Sequence, residues 1–179
     1  MKKRSGRLSA VIIRSVTAFF FSCFLCACGK ESVQSAISRE LGMDVSACEV
    51  LSASDSHGGF HGDGTGFYVL DCSDTEVPEQ IERAPCWLPF PLDDTVRILV
   101  YGIEDERGKT GPYLTDQEGK ALIPKIENGY YLLIDRQMEQ GMASRVDTRV
   151  DILQRGSFNF TLGIYDADTN LLYFCEKDT

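Results

Sequence analysis

The sequence predicts an α+β fold, an antiparallel sheet of about five strands with two or three helices packed on one face, and three observations predict it. Apolar residues recur at helical spacing near positions 37 and 96. Alternating or wholly apolar runs near positions 67, 132, 162 and 173 have the length of strands. Helical and strand patterns do not alternate along the chain, as a parallel βαβ sheet requires. We therefore expect neighbouring strands to pair as antiparallel hairpins.

The first predicted helix lies in SVQSAISRELGMD, which begins at Ser32. Val33, Ile37 and Leu41 recur every four residues, so their side chains share one face of a helix. Gly42 stands where a helix ends, because glycine readily adopts the left-handed conformation of a C-cap.

Two strand-like runs, CEVLSASDSH and TGFYVLDCSD, follow on either side of a glycine-rich centre. In the second run Phe67 and Val69 alternate with Tyr68 and Leu70, so both faces are apolar and the strand is expected to be well buried. The two runs predict a β-hairpin.

The middle of the chain predicts a short helix in EVPEQIERAPC and an irregular stretch in CWLPFPLDD, whose prolines exclude a central strand. LDDTVRILVYGIEDE fits either a helix or a strand. We predict the helix, because Asp93 is a suitable N-cap and the helical stripe is the longer of the two patterns. Trp87 is predicted to anchor the core, with a stacking platform for a sugar or peptide as the alternative.

The C-terminal third predicts three strands. YYLLIDRQ is the first, and SFNFTLGIYD and LLYFCEKD form a hairpin around the turn DADTN. In SFNFTLGIYD, Phe158, Phe160, Leu162 and Ile164 face one way, while the residues between them face the other.

The first 28 residues resemble the signal peptide of bacterial lipoproteins. MKKRSGR supplies a cationic start, and the apolar run that follows is too short after Arg14 to span a bilayer. Leu25 and Ala27 match the lipobox of that family, in which Cys26 replaces the usual Ala or Ser. The resemblance implies that Cys28 is linked to a diacylglycerol and becomes the new N-terminus. An ordinary signal helix with a chance cysteine is the alternative.

These features predict the domain organisation and the location of the protein. Residues 1–27 are assigned to a signal peptide, 28–31 to the lipidated cysteine and a short tether, and 32–179 to a single α+β domain. We expect an extracytoplasmic protein, lipid-anchored to the bacterial cell membrane. The two acyl chains would anchor it firmly, because each buried CH₂ contributes ~0.8 kcal/mol of membrane affinity.

The charge of the mature chain restricts its partners. Removing residues 1–27 removes five of the 18 cationic residues and no acidic one, which leaves 13 against 27 and a formal charge of −14. That charge repels nucleic-acid phosphates, so nucleic-acid binding is not expected. An envelope protein, a peptide or a glycan is the expected class of partner.

Four cysteines follow the lipobox, at positions 48, 72, 86 and 175. An even number outside the cytosol permits two disulfides. Cys72 and Cys175 lie in strand-like runs and are candidate partners across a sheet. The alternative is buried free thiols that pack as small apolar side chains.

The glycine-rich centre SDSHGGFHGDGTGFY contains both histidines of the chain. His57 and His61 are flanked by Asp55 and Asp63, and imidazole and carboxylate are suitable ligands for a divalent metal such as zinc. The stretch has three interpretations. It is a glycine-rich turn with solvated side chains, a metal site, or the catalytic loop of a surface hydrolase in which His57 or His61 is the general base. No other cofactor is predicted.

Four stretches together resemble a group of small uncharacterised proteins of Gram-positive bacteria: DSHGGFHGDG, GPYLTDQEGKALIP, ENGYYLLIDR and FNFTLGIYDADTNLLYFCE. This resemblance implies a folded domain over most of the mature chain and assigns no catalytic residue. The sequence therefore predicts a membrane-anchored lipoprotein that displays a binding domain. A metal-binding lipoprotein or a surface hydrolase that uses the loop of His57 and His61 is the alternative.

Overall fold

A computed structural model describes residues 31–58, 62–106, 108–139 and 151–179, and the folded unit spans Ser32–Thr179. Its helices are α1 (Val33–Leu41), α2 (Val77–Arg83), α3 (Asp94–Tyr101) and the single turn α4 (Arg136–Glu139). Its strands are β1 (Glu49–Asp55), β2 (Gly64–Asp71), β3 (Leu88–Pro89), β4 (Ile103–Asp105), β5 (Gly108–Thr110), β6 (Gly129–Asp135), β7 (Asn159–Asp166) and β8 (Leu171–Asp178). Among these described residues no helix has the length and apolar character needed to cross a membrane.

Six strands form one antiparallel sheet in the order β1-β2-β8-β7-β6-β3, and β4 and β5 form a separate hairpin. The predicted α+β class is confirmed, and so are the hairpins β1–β2 and β7–β8. The sheet has one strand more than predicted, since β3 adds two residues to the edge at β6. A proline is tolerated there because its missing N–H falls on an edge strand.

The two helix caps predicted from sequence, Gly42 for α1 and Asp93 for α3, are both present, and Ser32 is a further cap of α1. The Ser32 side chain accepts a hydrogen bond from the Ser35 main-chain N–H, and Gly42 ends α1 at φ 65°. The Asp93 side chain accepts from the Val96 N–H at 2.8 Å and caps α3, so the predicted helix forms. It ends at Tyr101, and Ile103, which was predicted on its apolar stripe, instead begins β4. The Ser32 and Asp93 side chains thus accept from main-chain N–H groups that a helix cannot pair within itself, while the Gly42 N–H donates to the Ser38 carbonyl oxygen.

The helices cover both faces of the sheet, which differs from the predicted arrangement on one face. One apolar cluster joins Ile37 and Leu41 of α1 and Ile81 of α2 to the sheet. The other joins Leu99 and Val100 of α3 to the opposite face. Both clusters contain side chains of the same four strands, β2, β6, β7 and β8. Both faces of the sheet are therefore apolar, and each must be covered by helices.

The predicted disulfide between Cys72 and Cys175 is wrong. Cys72 is bonded to Cys48, and Cys175 is a buried free cysteine. The reason is the strand period: Cys72 packs in the cluster beneath α1 and α2, whereas Cys175 packs in the cluster beneath α3. Burial raises the pKa of the Cys175 thiol to about 12, so Cys175 remains a neutral apolar side chain. Cys86 is free and exposed.

Trp87 lies in the core, as predicted. Its side chain is 4% exposed and packs over Gly163 of β7, where a Cβ would meet the indole Cη2 at 2.7 Å. The glycine in this central strand therefore leaves room for the tryptophan ring.

Candidate functional site

A cluster of charged side chains lies at one end of the six-stranded sheet. Because neighbouring strands are antiparallel, β1, β8 and β6 all finish at this end. Asp55 ends β1 and His57 follows it, Glu176 and Asp178 lie at the end of β8, and Arg136 follows β6. The five side chains are called the sheet-end cluster below.

His57 lies between two carboxylates. Its Nδ1 is 2.7 Å from Asp55 Oδ1, and its Nε2 is 3.1 Å from Asp178 Oδ2. The His57 main-chain N–H also donates to Asp55 Oδ1 at 2.8 Å, and this bond is the main reason that the pKa of Asp55 lies below its ordinary value. A neutral imidazole donates from one nitrogen and an imidazolium from both. Both ring nitrogens are thus committed within the protein.

Arg136 connects the ends of three strands. Its guanidinium donates to Glu176 Oε1 at 2.5 Å, to Asp178 Oδ1 at 2.8 Å and to the Phe160 carbonyl oxygen at 3.2 Å. Burial raises the pKa of Glu176, while the Arg136 cation acts in the opposite direction. Arginine suits this position because its planar group serves several acceptors at fixed angles.

Gly66 of β2 packs against the cluster. A Cβ at Gly66 would meet Tyr68 Cε2 at 3.3 Å, His57 Cε1 at 3.6 Å and Glu176 Cβ at 3.8 Å. Burial raises the pKa of Tyr68, and the charges of Asp55 and Glu176 raise it further. Gly66 therefore lets the side chains of His57, Tyr68 and Glu176 lie close together, since a Cβ there would be in tight contact with the Tyr68 ring.

A second ion pair lies behind the cluster. Arg155 Nη2 is 2.7 Å from Asp135 Oδ2, and the Arg155 side chain is 4% exposed. Asp135 and Gln137 both accept hydrogen bonds from Arg155 Nη1. Through Asp135 and Gln137, Arg155 thus links the segment that precedes β7 to the end of β6 and to α4.

The structure brings together two of the four loop residues that the sequence singled out. Asp55 and His57 are in contact, whereas Asp63 is exposed and, among the described residues, has no hydrogen bond to His57. His61 and Cys28 lie outside the described residues. Within those residues no three His, Cys, Asp or Glu side chains converge as metal ligands.

Sequence reasoning missed Asp178, Arg136 and Glu176. Asp178 is separated from His57 by 121 positions, and it reaches the imidazole because β8 pairs with β2 over its whole length. The alternation in LLYFCEKD indicates which face each residue takes, but it does not indicate the register of β8 against β2.

A shallow groove of about 330 Å³ lies beside α3. It is lined by Phe90, Pro91, Leu92, Arg97, Tyr101, Lys125, Ile126 and Glu127. Lys125 Nζ lies 4.6 Å from the Tyr101 ring centroid, and Arg97 is paired with Asp94 at 2.8 Å. The two cations of the groove are balanced by Asp94 and Glu127, so its charge selects neither anions nor cations.

Comparison with known proteins finds no match for the chain among protein-family models, curated proteins or solved structures.

Proposed function

We propose that this chain is a lipoprotein of the bacterial cell envelope, anchored to the membrane through Cys28, which displays a binding domain formed by residues 32–179. The observation that carries the proposal is the sequence Leu25-Cys26-Ala27-Cys28 at the end of a cationic and then apolar segment. The folded unit begins at Ser32, four residues after Cys28. A tether of that length holds the domain close to the membrane surface.

The disulfide supports an extracytoplasmic location. Cys48 and Cys72 are bonded, and disulfides form and persist in oxidising compartments outside the cytosol. The same compartment is the destination of a lipobox signal.

The contacts of His57 argue against its action as a general base. A general base needs a nitrogen that faces the proton it removes. His57 instead directs Nδ1 to Asp55 and Nε2 to Asp178, so both nitrogens bond within the protein. This geometry does not favour the hydrolase in which His57 is the base.

The proposal predicts that Cys28→Ser releases the protein from the membrane. We expect the wild-type chain, expressed in a bacterium that lipidates proteins, to sediment with membranes and to carry a diacylglycerol on Cys28 by mass spectrometry. The variant loses the thiol that accepts the lipid, so the modified form disappears and the uncleaved or soluble chain accumulates.

Cys86→Ser is the matched control, because it removes a free, exposed thiol from the folded domain. This control stays on the membrane if the anchor is at Cys28. A wild-type chain found in the cytosol without acyl modification would refute the proposal.

A divalent-metal site is the second candidate function. Each ring nitrogen of His57 lies within 3.1 Å of a carboxylate, and a metal ion bound there would replace the proton between the nitrogen and that carboxylate. Titration of the chain with Zn²⁺ by calorimetry tests it beside His57→Ala and the double change at His57 and His61. One stoichiometric site in the wild type that both variants lose would establish metal binding, since imidazole is a strong zinc ligand. Equal heats from all three proteins would exclude a role for these histidines in binding zinc.

A further inference from the structure

Strand β1 is an edge of the six-stranded sheet, and among the described residues no strand lies beyond it. Its side chains are exposed at every position except Val50. An edge strand presents main-chain N–H and C=O groups that have no partner in the sheet, and an extended chain can pair with them. Edge strands of this kind are the site of β-strand addition.

The hydrogen-bond alternation of the hairpin identifies the outward groups. The Ser56 main-chain N–H donates to the Thr65 carbonyl oxygen at 3.1 Å, so Ser56 faces β2. In an antiparallel ladder every second residue turns the same way, so Ser54 also faces β2 and the residues between turn outward. Ala53 and Asp55 therefore direct their N–H and C=O groups away from the sheet.

The opposite edge is less accessible to a strand. It is formed by β3, which has two residues, and one of them is Pro89, which has no N–H to donate. The separate hairpin of β4 and β5 has three residues in each strand, which leaves little length for pairing. Of the two strands at the edges of the six-stranded sheet, β1 is the longer, with seven residues against two in β3.

The charges on β1 indicate the partner. Protected edges commonly carry lysine or proline, and β1 has neither over residues 49–55. Its only charged residues are Glu49 and Asp55, one at each end, and both are exposed. A register shift between Val50 and Ser52 confines the regular free edge to residues 52–55.

We propose that β1 is a docking strand for an extended, cationic segment of another protein, which pairs with Ala53 and Asp55 and places basic side chains near Glu49 and Asp55. The inference rests on the proposed function, because it names the partner class of the binding domain. A second copy of the chain fits poorly. Its β1 has the same two acids and no cation over residues 49–55, so pairing of two β1 strands brings no basic side chain to Glu49 or Asp55.

The test titrates the full chain, in detergent micelles, with the peptide acetyl-KTVTVTK-amide, and acetyl-ETVTVTE-amide serves as the charge-reversed control. NMR hydrogen exchange follows single amides. At saturation the amides of Ala53 and Asp55 should exchange about tenfold more slowly, because pairing removes them from water. The acidic peptide should leave them unchanged.

Two variants separate main-chain pairing from charge. Ala53→Pro removes an outward N–H, and peptide affinity should fall about tenfold or more. Glu49→Lys keeps the strand intact and reverses one charge, so affinity should fall about fivefold. Glu104→Lys is the matched control for the second variant, because Glu104 is an exposed acid in β4, and it should bind as the wild type does.

Three results would overturn the inference. The first is unchanged hydrogen exchange at Ala53 and Asp55 with the cationic peptide at up to about 10 mM. The others are equal binding of the two peptides, and protection of these amides without peptide through concentration-dependent self-association. The experiment is independent of lipidation. A chain that binds the peptide but lacks acyl modification at Cys28 would refute only the proposed anchoring. An anchored chain that does not bind the peptide would refute only the docking strand.

Discussion

Replacing Cys48 and Cys72 together with serine is expected to lower the free energy of unfolding of residues 29–179 by about 3.5 kcal/mol. The disulfide closes a loop over a sequence separation of 24 residues, and a closed loop of about that length reduces the entropy of the unfolded chain by this amount. The loss is large against a typical domain stability of about 5–15 kcal/mol. Urea unfolding monitored by Trp87 fluorescence measures it.

The position of the bond adds a local consequence. Cys48 precedes Glu49, Cys72 follows Asp71, and Glu49 and Asp71 are paired residues of the β1–β2 ladder. The bond therefore closes the open end of the edge hairpin, and its loss should also speed hydrogen exchange in β1 more than in β7.

Cys86→Ser is the control for this double variant, because Cys86 is exposed and free, and its free energy of unfolding should change by less than about 0.5 kcal/mol. Reductant should destabilise the wild type and leave the double variant unchanged. A double variant as stable as the wild type would show that the two cysteines are not bonded in the folded protein.

Much of the fold was predictable because local patterns decide it. The alternation of Phe160, Leu162 and Ile164 marks a strand whether or not its neighbours are known, and Asp93 caps α3 through its own side chain. Helices on both faces were missed, although the two-sided apolar run at 67–70 already required cover on both sides of β2. The edge strand β3 was missed because it has only two residues, one of them a proline.

Pairings between distant segments were not predictable. Cys175 lies in a strand, as the predicted disulfide required. The register of β8 against β2 places its side chain on the face of the sheet opposite Cys72. Asp178 meets His57 through the same register. A shift of one residue in that register would turn Asp178 away from the imidazole, and no local signal in the sequence reports it.

Gly129→Ala should destabilise the domain by roughly 3 kcal/mol or more, because the added methyl group has no room. A Cβ at Gly129 would lie 2.0 Å from the Tyr165 carbonyl oxygen and 3.1 Å from its carbon. Both are main-chain atoms of β7, which pairs with β6 on one side and β8 on the other. The clash can be relieved only if β6 moves away from β7. That movement would also break the hydrogen bond that the Phe90 N–H donates to the Gly129 carbonyl oxygen at 2.9 Å.

Gly156→Ala is the matched control, since a Cβ there meets nothing within 4 Å and its free energy of unfolding should change by less than about 0.5 kcal/mol. Gly129 lies on β6 at the end opposite Asp135 and the sheet-end cluster. A folded fraction of Gly129→Ala should therefore retain the contact between His57 and Asp178, visible as unchanged NMR shifts of the His57 ring. Equal stability of the two alanine variants would mean that β6 and β7 are not paired at Gly129, and the register of the sheet from β6 to β8 would then have to be redrawn.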